Sequence, residues 1–158
     1  MNTTIKMVLD AWNVHIERTE KLFNELTDDQ LSKEVAPGRN RGTYLLGHLI
    51  AVHDGMIALL SERKELFPQL KKIYLQEPDQ SNMEVGNIGD LRGYWKEVTS
   101  ALNVCIQNIS EEEWFNRHYA VSEEAFTKEP HRNKLNIIIN RTNHLSYHLG
   151  QLVFLKEK

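Results

Sequence analysis

Two histidines, His144 and His148, stand four residues apart in Asn143-His144-Leu145-Ser146-Tyr147-His148-Leu149-Gly150-Gln151-Leu152. On a helix that spacing sends both imidazoles from one face, about one turn apart. Two ring nitrogens so placed reach one ion at about 2.0–2.1 Å, the usual Zn–N distance. A third histidine, His48, lies in Gly47-His48-Leu49-Ile50, at a seam position among Leu45, Leu49 and Val52 where leucine would be the ordinary choice. A buried imidazole needs partners for both nitrogens, and a metal ion satisfies one of them strongly. Three neutral imidazoles with one coordination position open is the ligand count of a catalytic centre rather than of a closed structural one. Imidazole ligands suit zinc, nickel, iron and copper alike, so spacing does not choose the ion.

Other polar side chains fall where they could serve such a centre. Arg141 precedes His144 by three residues, shares its face, and can pair with a substrate carboxylate. Tyr44, Asn140, Tyr147 and Gln151 are available to orient a small-molecule substrate. His15, with Thr19, interrupts an apolar seam; it reads either as a tolerated polar spot or as a pocket wall, partner to a ligand or general base. His15, Arg141, Tyr147 and Gln151 are thus the candidates for catalysis, with no role fixed among them. His53 follows His48 by five residues, about 140° round a helix, and cannot share its ion. It flanks the site or, on the simpler reading, is solvated. His118 and His131 fall in irregular stretches and are expected to be exposed. Cys105 in a helix seam reads as a small apolar residue, and Trp12, Trp95 and Trp114 as packing.

Several classes are excluded. His144-Leu145-Ser146-Tyr147-His148 lacks the Glu after the first histidine that zincin proteases use as general base. Paired Glu-x-x-His elements of di-iron bundles are absent as well. A net charge of -3 offers no basic face for nucleic acid. The single cysteine fits a reducing cytoplasm. The N-terminus has no apolar signal core, and no stretch reads as the 18 or so apolar residues that a membrane span takes. A cytoplasmic protein is expected.

The elements that must position the histidines are helical. With 158 residues, 41% of them hydrophobic, and only 4 Pro and 8 Gly, the chain is expected to form one domain, 1–158, around one core. Ile5, Val8, Trp12, His15, Thr19, Leu22 and Leu26 space a first helix, capped by Thr3 or Thr4. Thr27-Asp28-Asp29-Gln30 is a capping box for a short turn, and Pro37-Gly38-Arg39-Asn40 breaks the chain. A second long helix is expected from about Thr43 to about Arg63, its buried stripe being Leu45, His48, Leu49, Val52, Met56 and Leu59. A loose crossover with a helical fragment follows between Phe67 and Gly89. The third helix starts near Gly89-Asp90 with Leu91, Tyr94, Trp95, Val98, Leu102, Cys105 and Ile109. Ser110-Glu111-Glu112-Glu113 forms another capping box. After an irregular stretch anchored by Val121 and Phe126, a last helix runs from about Asn133 to the end. Four long amphipathic helices with two longer connections and no β-rich run indicate an all-α four-helix bundle.

The segments Leu46-Gly47-His48-Leu49-Ile50-Ala51-Val52-His53-Asp54 and Asn143 to Leu152 resemble the two signature segments of the DinB-like superfamily, over nearly the whole chain in length and helix order. Members are helical-bundle metalloproteins, among them bacillithiol- and mycothiol-dependent transferases. The resemblance implies an up-up-down-down bundle, His48, His144 and His148 as ligands, zinc or nickel as the divalent ion, and a homodimer. One departure is Leu149, where many relatives carry a polar or basic residue, which bears on the substrate side of the site. A divalent ion lowers the pKa of a bound nucleophile. Two reactions follow: a low-molecular-weight thiol attacking a small electrophile, favoured by the resemblance, or water hydrolysing an amide or ester. A non-catalytic metal-binding bundle, and an interaction module that never binds metal, are the alternatives.

Overall fold

A computed structural model describes residues 2–81 and 86–156. Positions 82–85 of the expected crossover, and positions 157–158 at the expected end of the last helix, lie outside the described residues. The described residues are helical, with two isolated bridges, Glu34 to Arg41 and Arg117 to Asn133, in place of any strand. Helix α1 spans Thr3–Glu25, the single turn α2 Asp28–Leu31, α3 Gly42–Leu60, α4 Ile88–Gln107, the short α5 Glu123–Lys128 and α6 Lys134–Leu152. Helix α3 packs chiefly on α4 and α1 on α6, while a smaller α3–α6 contact joins the two histidine-bearing segments.

Helix starts follow hydrogen-bond chemistry. The α1 cap is Asn2, one residue ahead of the expected threonines, its carbonyl oxygen accepting from Thr4 N. An N-terminal amide left without a partner costs stability, and Asn is as good an acceptor there as any residue. Thr27 and Gln30 close the expected capping box on α2, and Asn133 caps α6 by accepting from Asn136 N. Ser110 and Glu113 also bond reciprocally, but they open only a 3-10 turn, Glu113–Phe115. Gly38 holds φ +72 in the break before α3, a conformation only glycine adopts at little cost. The stretch between Asn116 and His131, expected to be irregular, contains α5, capped by Ser122.

Helix α3 departs most from expectation. A single buried stripe was expected; instead Leu45, Leu46, Leu49, Ile50, Ala51, Met56, Ile57 and Leu60 are all buried, so the helix is apolar nearly all round. Such a helix has to lie in the middle of the protein, and each large side chain buried there contributes roughly 1.5–3 kcal/mol. Leu59, assigned to the stripe, is only half-buried. Helix α3 also has the length and hydropathy of a membrane span, which no stretch was expected to have, yet two-thirds of it is covered by its neighbours.

The crossover after α3 is pinned at several points. Asp54, buried on α3, accepts from Leu66 N and Phe67 N at 2.7 and 2.8 Å. A π-helical turn, Lys72–Gln76, is the expected helical fragment, and it carries the fully buried Tyr74. Beyond it the Tyr44 hydroxyl donates to Glu77 O at 2.7 Å. Arg41 grips Asp79 through Nε and Nη2, the latter at 2.6 Å. This fixes the turn against the first half of α3, beside His48.

Candidate metal centre

The three histidines meet. His144 Nε2 lies 3.1 Å from His48 Nε2 and 3.1 Å from His148 Nε2. His144 and His148 come from successive turns of α6, and His48 comes from the second turn of α3. Two nitrogens about 2.1 Å from one ion stand about 3.0 Å apart at a right angle and about 3.4 Å apart at the tetrahedral angle. The observed spacing falls between those values.

Hydrogen bonds fix which nitrogen of two rings carries the proton. His48 Nδ1–H donates to the backbone carbonyl of Tyr74 at 2.9 Å. His148 Nδ1–H donates to Gln151 Oε1 at 2.7 Å, and the Gln151 amide is turned that way because its Nε2 donates to the Tyr147 hydroxyl at 3.2 Å. Both Nε2 atoms therefore point lone pairs at His144. A proton on His144 Nε2 can serve only one of them, which leaves at least one pair of acceptors facing each other. One cation among the three nitrogens satisfies them all, so the donor set fits a divalent ion with imidazole ligands. No carboxylate or thiol among the described residues joins the cluster.

Electrostatics keep the rings ready to ligate. Burial lowers the pKa of His48 and of His148, against the raising effect of their hydrogen bonds to Tyr74 and Gln151. His144 is pushed down to about 4, by burial first and then by His148, His48 and Arg141. All three are neutral at pH 7, the state in which imidazole binds metal.

Two residues that support the site had no role in the sequence reading. The Tyr74 carbonyl orients His48, and a backbone acceptor leaves no mark in sequence. Gly47 lets the Tyr74 ring lie directly on α3, since a Cβ there would overlap three ring carbons. A glycine in a helix interior costs about 1 kcal/mol against alanine, and that cost was a readable sign of a close approach.

The remaining candidates divide. Gln151 bonds His148, Tyr147 holds Gln151 and is exposed, and the Tyr44 ring stacks near His48 with centroids 6.3 Å apart. Arg141 is half-buried on the histidine face of α6, and Asn140 beside it is exposed. His15 takes no part in the cluster: its Nδ1–H donates to Ala11 O in its own helix at 2.8 Å, and Thr19 bonds back to the His15 carbonyl. His53, expected to be solvated, is completely buried between Trp12 and Trp95. The reason is the all-round burial of α3, which leaves no solvent-facing side at that turn. His118 is half-buried rather than exposed, whereas His131 is exposed as expected.

Comparison with known proteins gives the family and the fold. The family model of the DinB superfamily matches residues 11–152. A solved structure from Enterococcus faecalis, described as a conserved protein of locus, superposes with a TM-score of 0.68 at 18% identity, covering 98% of this chain and 95% of that one. At that identity the likeness is one of fold. No curated protein matches the chain.

Proposed function

The chain belongs to the DinB superfamily, and from that premise we propose that it is a metal-dependent thiol S-transferase acting on small electrophiles. The proposal includes zinc or nickel as the ion, a cytoplasmic homodimer, and one domain whose four long helices close as an up-up-down-down bundle. The observation that carries it is the convergence of three imidazole Nε2 atoms, two with their Nδ1–H groups already committed elsewhere. A divalent ion held there would make a bound thiol far more acidic than its ordinary pKa near 8.5.

The residues present favour a thiol over water. Amide or ester hydrolysis by a metal-bound water is helped by a general base within hydrogen-bond reach that also carries the proton to the leaving group. No Asp or Glu among the described residues joins the cluster, and all three imidazoles would be taken up as ligands. A thiol brings its own strong nucleophile and needs only to lose a proton, which passes to solvent through the Tyr147 side of the site. The thiolate sulfur then forms a bond to the electrophilic carbon as the bond to the leaving group breaks, and the leaving group departs with the electron pair. His48 and His148 are held in orientation throughout by Tyr74 O and Gln151.

The test begins with protein purified without a metal-binding tag. Elemental analysis should find about one zinc or nickel per chain, and none after His148→Ala, as expected when one of three ligands is lost. The loaded protein should then consume bacillithiol, glutathione or coenzyme A together with a model electrophile, read as loss of free thiol. Metal retained without turnover of any thiol would leave a non-catalytic bundle, and turnover of esters or amides alone would make it a hydrolase.

A further inference from the structure

Lys134, the first residue of α6, is only 6% exposed, yet its ammonium makes no hydrogen bond and no ion pair among the described residues. Asp54 is buried to a similar degree, and two backbone amides hold it. Lysine is also a poor choice at this position, because the positive end of the helix dipole disfavours a cation in the first turn. Taking an ammonium out of water without a partner is costly in itself. An anion beside Lys134 would relieve both penalties.

The surroundings leave room for one. The ammonium sits 5.3 Å from the centroid of the Tyr119 ring, and both residues line a cavity of about 440 Å³ between the end of α3, the end of α4 and the start of α6. Backbone bonds fix the pair in place: Lys134 N donates to Asn116 O at 3.0 Å, and Tyr119 N donates to Leu59 O at 3.1 Å. Other polar groups of the wall are already engaged. The Ser61 hydroxyl donates to Ile57 O at 2.8 Å, the Asn108 amide donates to Val104 O at 2.7 Å, and Glu113 Oε2 accepts from Ser110 N at 2.9 Å. Glu62 and Arg63 are exposed at the rim. Lys134 is the buried donor left over, with three N–H groups for whatever enters. Ten residues separate it from His144, about 15 Å along the helix at ~1.5 Å per residue, and none of the three clustered histidines lines this cavity.

We infer that this cavity is a second binding site, separate from the metal centre, for a small organic monoanion whose carboxylate is held by Lys134. Its volume falls within the range of about 300–1,000 Å³ usual for small-molecule sites. Leu60, Ile109 and the Tyr119 ring give the body of the ligand an apolar wall. A carboxylate on the ammonium forms charge-assisted hydrogen bonds, the strong kind, in surroundings largely closed to water. Glu62 and Glu113 in the same walls repel a second negative charge, which selects a monoanion over phosphate. The site does not depend on the metal or on the reaction at the histidines.

The probes are benzoate, its neutral counterpart benzamide, and inorganic phosphate, titrated into the nitrogen-15-labelled full chain and followed by amide chemical shifts. Benzoate should shift the amides of Asn108, Tyr119 and Lys134 and saturate, binding about tenfold or more tighter than benzamide, the worth of a good charge-assisted pair. Phosphate should bind more weakly than benzoate. Lys134→Met keeps the length of the side chain and removes the charge. It should abolish the preference for benzoate, with metal content unchanged and a melting temperature no lower than that of the wild type, since an unpaired buried charge is gone. Lys134→Arg should keep part of the preference. Benzoate binding no tighter than benzamide in the wild type would overturn the site whatever the variants do. Equal benzoate affinity in a folded Lys134→Met would overturn the role of the lysine, and phosphate binding as tight as benzoate would overturn the ligand class. Shifts at His144 and His148 in place of the cavity would assign the carboxylate to the metal centre, and the second site would fall.

Discussion

Helix α3 carries two histidines five residues apart whose surroundings could hardly differ more. His48 is half-buried, its Nδ1–H on the Tyr74 carbonyl and its Nε2 facing His144. His53 is fully buried, its ring 5.2 Å from the rings of both Trp12 and Trp95, and neither of its nitrogens has a hydrogen-bond partner among the described residues. The first is polar chemistry with every nitrogen directed; the second is an imidazole used as packing between α1 and α4. Burial alone would rank His53 as the more unusual residue. What separates a ligand from a filler is the direction of the nitrogens, and that depends on backbone and side chains from other elements.

The largest test of this contrast is loss of metal. His148→Ala or His144→Ala removes one of three ligands and should reduce bound metal to background in elemental analysis. The melting temperature of these variants should no longer respond to added zinc or nickel. His53→Leu should keep its full metal complement. A loss of metal from His53→Leu equal to that from His148→Ala would erase the distinction between the two histidines.

Next in size is Gly47→Ala. The new methyl meets the Tyr74 ring, which is fully buried and has nowhere to retreat. Overpacking of this kind costs about 1–3 kcal/mol, and here it should also shift the carbonyl that orients His48. Chemical denaturation and metal titration should therefore both register the change. Full stability with unaltered metal affinity would mean that the Tyr74 turn does not set the ligand.

His53 makes its own prediction through pH. Burial first, then the charges of His144 and Arg141, push its pKa down from 6.5 to about 3. As pH falls, the unfolded chain takes up this proton before the folded one does. The stability associated with a neutral His53 is thus intact above about pH 6.5 and drains between there and about pH 3. In metal-stripped protein the cluster histidines titrate alike in wild type and variant, so their part cancels in the difference. His53→Leu should gain on the wild type by about 2 kcal/mol more at pH 5 than at pH 8. Urea unfolding at the two pH values measures this, and a difference that does not change with pH would show that His53 has a proton-accepting partner when folded.

The meeting of the three histidines was legible in sequence because helical spacing maps directly onto geometry: four residues on α6 is one turn, and a histidine among leucines on α3 asks for a reason. The long helices were legible from the same periodicity, and the capping boxes at Thr27 and Ser110 from side-chain chemistry acting within three residues. His53 was misread because a pattern of apolar positions shows where one face lies but not whether a second face is also covered. That coverage comes from Trp12 and Trp95, 41 and 42 residues away in the chain. The Tyr74 carbonyl was invisible for a related reason, since any residue type supplies the same oxygen.

The smallest expected effect bears most directly on what would make His148 a ligand. Among the described residues Gln151 hydrogen-bonds no other histidine; it accepts from His148 Nδ1–H while Tyr147 holds its amide in that orientation. Gln151→Leu keeps the bulk and removes the acceptor. The proton is then free to move to Nε2, where it would block the lone pair that faces the site. Loss of such an orienting partner weakens metal binding by about tenfold, the lower end of the usual range. Tyr147→Phe removes only the hydroxyl that steadies Gln151 and should weaken binding less than Gln151→Leu. The order His148→Ala, Gln151→Leu, Tyr147→Phe in zinc affinity is thus a gradient of distance from the ion along one chain of hydrogen bonds. If Gln151→Leu bound zinc as tightly as the wild type, the tautomer of His148 would have to be set by the three facing nitrogens themselves, and the contrast with His53 would then rest on geometry alone.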